Sequence, residues 1–210
     1  MFFSIIIALV LFTSSSYANQ IEFDYCVADP TLPHRPSGYS CKDPTKVTTD
    51  DFSYSGLRTP ANTSNIFKFG VSYALLDQFP ALNGLGLSMV RADIDVGGAG
   101  PIHAHRVAEL AIVTEGTIIA GFIDTNNKPF YKTMEKGDLF VVPPALAHFQ
   151  VNVGKMPAVV YAAFASPNPG VQAVDLALFK NDLPTEIIQK VTLLDVTQIK
   201  KLKNAFGGTN

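Results

Sequence analysis

From Ile66 to Phe164 the chain is a succession of short apolar or alternating runs divided by turn residues. The runs cover 66–75, 86–95, 107–114, 117–123, 129–132, 138–142, 147–153 and 158–165. Between them lie Asn83-Gly84, Gly97-Gly98, Glu115-Gly116, Thr125-Asn126-Asn127, Lys136-Gly137 and Val153-Gly154. Alternation puts successive side chains on opposite faces of a strand. Many short strands with evenly spaced turns predict an all-β sandwich or closed barrel. Phe79-Pro80 and Pro143-Pro144 mark places where ladder pairing must stop, because proline has no N–H to donate.

Outside that region the pattern changes. Residues 19–46 are rich in Pro, Gly and Asp with little periodicity, which predicts an irregular segment. Near the other end, Pro184-Thr-Glu-Ile187-Ile188-Gln-Lys-Val191 suits a short helix with proline in its first turn. Asp195-Val-Thr-Gln198 resembles a capping box. Val196, Ile199, Leu202 and Phe206 then form one apolar stripe at helical spacing, stopped by Gly207-Gly208. Lys200, Lys201 and Lys203 read as the solvated opposite face and as cations near the negative helix end. At the start, an apolar run over 2–12, small polar residues over 13–16 and Ser16-Tyr17-Ala18 have the form of a secretory signal peptide. The run is short of the roughly 20 apolar residues of a spanning helix. The chain thus divides into a signal peptide (1–18), an N-terminal segment (19–60), a β-barrel (61–170) and a C-terminal helical extension (171–210).

The 210 residues suit one domain with a sizeable core, and 47% hydrophobic against 16% charged residues excludes a disordered chain. A net charge of −2 with no basic block argues against nucleic acid or an anionic membrane as partner. Cys26 and Cys41, an even pair close in sequence, are expected to form a disulfide in an oxidising compartment. Asn62-Thr63-Ser64 is an N-glycosylation sequon. Signal, cysteine pair and sequon together point to secretion.

Three of the four histidines fall in two segments, 97–116 and 137–152. His103 and His105, two apart, share one face if the segment is a strand. Glu109 follows four residues later, and His148 can come from a second, facing strand. A lone buried histidine is usually a satisfied core residue, but three imidazoles and one carboxylate at this spacing make a metal site. The set favours Mn or Fe over a closed tetrahedral zinc site and leaves room for a small oxygen ligand. Asn152 reads as a structural hydrogen-bonder beside the site. Phe122, Phe140, Phe149 and Phe164 are candidates for dry walls, with core packing the simpler role.

These residues match the two cupin motifs: Gly97, His103, His105, Glu109 and Gly116 in the first, Gly137, Pro143, His148 and Asn152 in the second. Ala145 stands where the second motif usually has glycine. Within the cupins the chain resembles plant germin-like proteins over nearly its whole length. The likeness rests on Gly38-Tyr-Ser-Cys41-Lys-Asp-Pro44, Leu82-Asn-Gly-Leu-Gly-Leu-Ser-Met89, His148-Phe-Gln-Val-Asn152 and Asn168-Pro-Gly170. Its tail resembles the branch described as auxin-binding. The resemblance implies a jelly-roll β-barrel, a bound Mn, C-terminal helices that clasp neighbours, hexamers built as trimers of dimers, and an extracellular location in the apoplast or cell wall. It also implies a choice among activities: superoxide dismutase, oxalate oxidase, nucleotide-sugar pyrophosphatase, or none. Two departures bear on that choice. Three residues, Arg106-Val107-Ala108, separate His105 from Glu109, where most relatives have four beginning with proline. Val90 and Gly100 stand where oxalate oxidases carry two asparagines. The expectation is therefore a secreted Mn protein with superoxide dismutase activity, with an auxin-binding or structural wall protein as the alternative and oxalate oxidation disfavoured.

Overall fold

The computed structural model describes residues 24–33 and 38–209, so the expected signal peptide (1–18) lies outside the described residues. Two five-stranded antiparallel sheets face each other. The first has the order β1-β2-β9-β4-β7. Its strands are β1 (Phe69–Ala74), β2 (Ser88–Ile94), β9 (Ala158–Phe164), β4 (Glu109–Glu115) and β7 (Leu139–Val142). The second has the order β10-β3-β8-β5-β6. It is built of β10 (Gln172–Ala173), β3 (Ala99–Ala104), β8 (Ala147–Asn152), β5 (Thr117–Ile123) and β6 (Pro129–Glu135). Three helices follow: α1 (Val174–Phe179), α2 (Thr185–Thr192) and α3 (Val196–Phe206).

The inner faces form the core because the strands alternate. On the first sheet, register aligns Val90, Ala162, Ala111 and Phe140 in one inward row. The next row, towards the end of the sandwich, is Ser88, Phe164, Glu109 and Val142. Glu109 therefore enters at the edge of an apolar layer that includes Ile94, Val113, Ile118, Ala120 and Val160. The strand β3 was not among the alternating runs. Its Gly100 and Pro101 mask the pattern, and a register shift between Gly100 and His103 breaks the period of two.

The N-terminal segment lies against the barrel as a stapled irregular stretch. Cys26 and Cys41 are joined, 15 residues apart, which by loop closure stabilises the fold by about 3 kcal/mol. Ala28 N–H donates to Pro80 O at 2.9 Å, and buried Asn83 donates to Tyr39 O at 2.9 Å and to Cys26 Sγ at 3.1 Å.

At the other end Ile199, Leu202 and Phe206 of the α3 stripe are taken up within their own chain, while Val196 stays exposed. Ile199 is buried with Phe179 and Ile188, and Phe206 stacks on Phe67 of the barrel and on Phe179. Asp195 caps α3 by accepting from Gln198 N–H, and Gly207 ends it with φ +79°. One lysine departs from the expected solvated face. Lys203 is 2% exposed, and its ammonium donates to the carbonyls of Asn181, Leu183 and Thr209. The reason is spacing: Lys203 sits four residues after Ile199 and shares its face.

Candidate metal centre

His103 lies near the end of β3, and its partner across the ladder is His148 of β8. Directly paired residues point to the same face, so both imidazoles turn inward with ring centroids 4.0 Å apart. His105 lies one residue beyond β3, its ring 5.0 Å from that of His103 and 5.2 Å from that of His148. Glu109 opens β4 on the opposite sheet, which makes the group a bridge between the two layers. Its Oε2 is 3.1 Å from His148 Nε2 and 3.4 Å from His105 Nε2. One ligand atom from each of the four residues lies within 4.8 Å of every other.

The orientation of the rings is as informative as their proximity. His103 Nδ1 meets Pro101 O at 2.8 Å, His148 Nδ1 meets Leu146 O at 2.9 Å, and His105 Nδ1 meets Gly170 O. A carbonyl can only accept, so each Nδ1 carries the proton and each Nε2 presents a lone pair to the centre. The Nε2 of His148 and the Oε2 of Glu109 are then two acceptors in contact. Such a pair repels unless a cation or proton lies between them. Outward-pinned Nδ1 atoms with converging Nε2 and carboxylate lone pairs are the donor chemistry of a divalent metal site.

Burial, with the neighbouring His148 adding to it, pushes the His103 imidazole down to about 4, and burial also lowers that of His105. For Glu109 burial alone would raise the carboxyl. The contact with His148, once a proton or cation lies between Nε2 and Oε2, and the nearby His105 and His103 outweigh it and hold the group below its ordinary value. Neutral His103 and His105 with an ionised carboxylate are the forms a metal needs. Stability follows from the same shifts. Between pH 6.5 and about 4 the unfolded chain takes up a proton at His103 that the folded, metal-free chain does not. Metal-free protein should therefore lose stability as pH falls through that window, by roughly 3 kcal/mol from His103, and gain no further penalty from it below. Thermal unfolding of metal-free protein across the window checks this, and a flat melting temperature contradicts it.

The model for the cupin family matches residues 55–200. The chain is 53% identical to the auxin-binding protein ABP19a of Prunus persica, with all of both chains covered. It is 49% identical to a germin-like protein of Morus alba over 95% of each. The chain belongs to the cupin family, in its germin-like branch. An oxalate oxidase structure superposes with a TM-score of 0.85 at 34% identity, covering 90% of this chain and 98% of that one.

Within this germin-like frame the structure locates the remaining site residues. Asn152 is buried, and its Nδ2 donates to Ile94 O, Asp95 O and Met156 O while its Oδ1 accepts from Gly154 N–H. It locks β8 to the β2 end and takes no place among the ligands. Phe164 packs its ring 4.7 Å from that of His105, and Phe122 pairs with His148 across the β5–β8 ladder. Phe149 belongs elsewhere: it alternates to the opposite face of β8, where it lies over Gly121. Ala145 adopts φ +62°, the conformation for which the cupin motif normally keeps glycine, at a cost on the order of 1 kcal/mol. Its N–H donates to His105 O at 2.9 Å. Asn62 is exposed in its loop, with Oδ1 accepting from Ser64 N–H.

One wall residue went unread in the sequence. Gln150 follows His148 by two on the same face and pairs with Gly100. A Cβ at Gly100 would lie 2.6 Å from Gln150 Oε1, so the amide fills the room that glycine leaves. The signal was available: period two from His148 marks position 150 as inward.

Proposed function

We propose that this germin-like chain is a secreted manganese protein that disproportionates superoxide. The observation that carries the proposal is the set of three imidazoles pinned at Nδ1 around one buried carboxylate. His103, His105, Glu109 and His148 would hold the ion, and the carboxylate oxygen favours a harder ion such as Mn over a site of imidazoles alone. Bound there, Mn would supply reversible one-electron chemistry and a position for a small oxygen species. The protein's part is to keep the tautomers fixed and, through Phe164 and Phe122, to keep one side dry. The balance closes without a further reagent: two superoxide ions and two protons give dioxygen and hydrogen peroxide.

Two surface cavities, of about 310 and 190 Å³, are lined by residues 24–27, 41, 42 and 44 and by residues 39, 75–77, 167 and 168. Both lie apart from the His/Glu group. The amide of Gln150 faces the space beside Gly100, but Val90 remains an apolar core residue where oxalate oxidases carry an asparagine. Dismutation by Mn-loaded protein should exceed that of the same Mn free in solution, with hydrogen peroxide formation from oxalate near background. Activity no higher than free Mn overturns the reading.

The alternative is a receptor-like, auxin-binding or structural wall protein, favoured by the full-length similarity to ABP19a. Calorimetry of the metal-loaded chain with an auxin decides it, and absence of heat removes it. Secretion to the apoplast, supported by the Cys26–Cys41 disulfide and the exposed sequon at Asn62, belongs to both readings. So does a homo-oligomer, most simply a hexamer built as a trimer of dimers. With Ile199, Leu202 and Phe206 packed internally, apolar residues open to a neighbour include Val196 of α3, Ile187, Val191 and Leu193 by α2, and Leu110, Leu139 and Val141 on the first sheet's outer face.

A further inference from the structure

The turn from His105 to Glu109 is shortened to Arg106-Val107-Ala108 and bears an arginine at its first position. Arg106 N–H donates to Pro169 O at 3.0 Å. Its Nη2 donates to Asn168 O at 3.2 Å. The next carbonyl, that of Gly170, is the one that accepts from His105 Nδ1. Three consecutive carbonyls, 168 to 170, are thus held by two consecutive residues, 105 and 106. The guanidinium also lies against Gly170: a Cβ there would come within 3.0–3.2 Å of Cζ, Nη2 and Nε, and Gly170 itself has φ +63°. Two residues on, the chain joins the sheet as β10, pairing Gln172 with Ala104 and Ala173 with His103.

We propose that Arg106 is a positioning residue for His105: it fastens the 168–170 loop whose Gly170 carbonyl fixes the His105 tautomer and ring. The proposal deepens the metal-site reading. His103 and His148 take their Nδ1 partners from residues two positions earlier in their own strand regions, so their pins come with the local backbone. His105 alone relies on a carbonyl 65 residues away. That contact needs a device to hold the distant loop in place, and Arg106 provides two hydrogen bonds and a packing surface. Its peptide N–H is part of the device, and the proline usual in relatives could not supply it. A ligand histidine whose outer partner is lost typically costs about 10–100-fold in metal affinity.

Arg106→Ala keeps the peptide N–H and removes the guanidinium, so the fold should survive it. In histidine-labelled, metal-free full-length protein, nitrogen NMR should show His105 as the Nδ1–H tautomer in the wild type and as a mixture in the variant. In Mn-loaded protein, release to a chelator should be about tenfold faster and the Mn(II) EPR splitting altered. Arg106→Lys, which can still reach Asn168 O, should restore part of both. Unchanged tautomer, release rate and EPR spectrum in Arg106→Ala overturn the proposal. So does a variant whose only change is a weaker salt dependence of the reaction rate, because that marks the guanidinium as a steering charge. A wild type that holds His105 in one tautomer, loses it in the variant, and yet binds no metal would sink the metal reading while leaving the positioning role intact.

Discussion

Glu109→Gln should release manganese, with affinity falling by more than about 100-fold, while zinc or nickel is held far better. Loss of an outer-shell partner alone costs about 10–100-fold, and here a ligand atom itself changes. The substitution preserves shape and leaves the β4 ladder to β7 and β9 untouched, because Glu109 pairs there through its backbone. What it removes is the one negative charge in the group. Three neutral imidazoles suit zinc, copper and nickel, whereas manganese depends on the hard carboxylate oxygen. His148→Ala is the contrasting variant: it takes away an imidazole that is 1% exposed and should weaken every divalent ion. The metal-free Glu109→Gln chain should unfold close to the wild type. It no longer buries a carboxylate, which offsets the altered contact with His148. Metal analysis after dialysis, with manganese and zinc offered in competition, measures the effect. Manganese retained at wild-type level by Glu109→Gln would contradict the assignment of the carboxylate as ligand.

Much of this site was legible before any coordinates. His103 and His105 at a spacing of two, Glu109 and His148 were enough to predict a shared centre, because period two places residues on a strand face whatever their neighbours are. The pins on the rings were not legible. They are backbone carbonyls, and a carbonyl has no sequence identity; only the fold could bring Gly170 O to His105. The strand β3 escaped because glycine, proline and a register shift erase alternation. Residue type alone makes Phe149 a candidate wall aromatic, but its position next to His148 sends it to the other face. Gln150 was missed by the converse error. The same period that located the ligands puts it inward, but a glutamine without charge drew no attention.

The lysines of α3 show the same lesson with the larger energetic consequence. Lys200, Lys201 and Lys203 look equivalent as a charged cluster at a helix end. Only Lys203 stands four residues from Ile199, and only it is buried. Lys203→Met should therefore destabilise the helical unit by about 3 kcal/mol, whereas Lys200→Met and Lys201→Met should stay within about 0.5 kcal/mol of the wild type. Methionine keeps the apolar stem but withdraws the donor from three carbonyls, Asn181 O, Leu183 O and Thr209 O. Asn181 O keeps the Thr209 N–H, so the cost is that of three lost hydrogen bonds to a charged donor, about 1.5–3 kcal/mol each, and no longer burying an ammonium returns part of it. The carbonyls belong to the α1–α2 connection and to the residues beyond α3. Their release should loosen the packing of Phe179, Ile188 and Ile199 and of Phe206 on Phe67. Amide exchange within α3 should then quicken by about two orders of magnitude, the factor that 3 kcal/mol implies, while the barrel strands keep their protection. The metal centre is formed entirely by residues of the two sheets and the β3–β4 turn, so metal binding should persist in Lys203→Met. Exchange rates in α3 equal to those of Lys200→Met would show that the three hydrogen bonds add nothing beyond what the apolar contacts of the helix already provide.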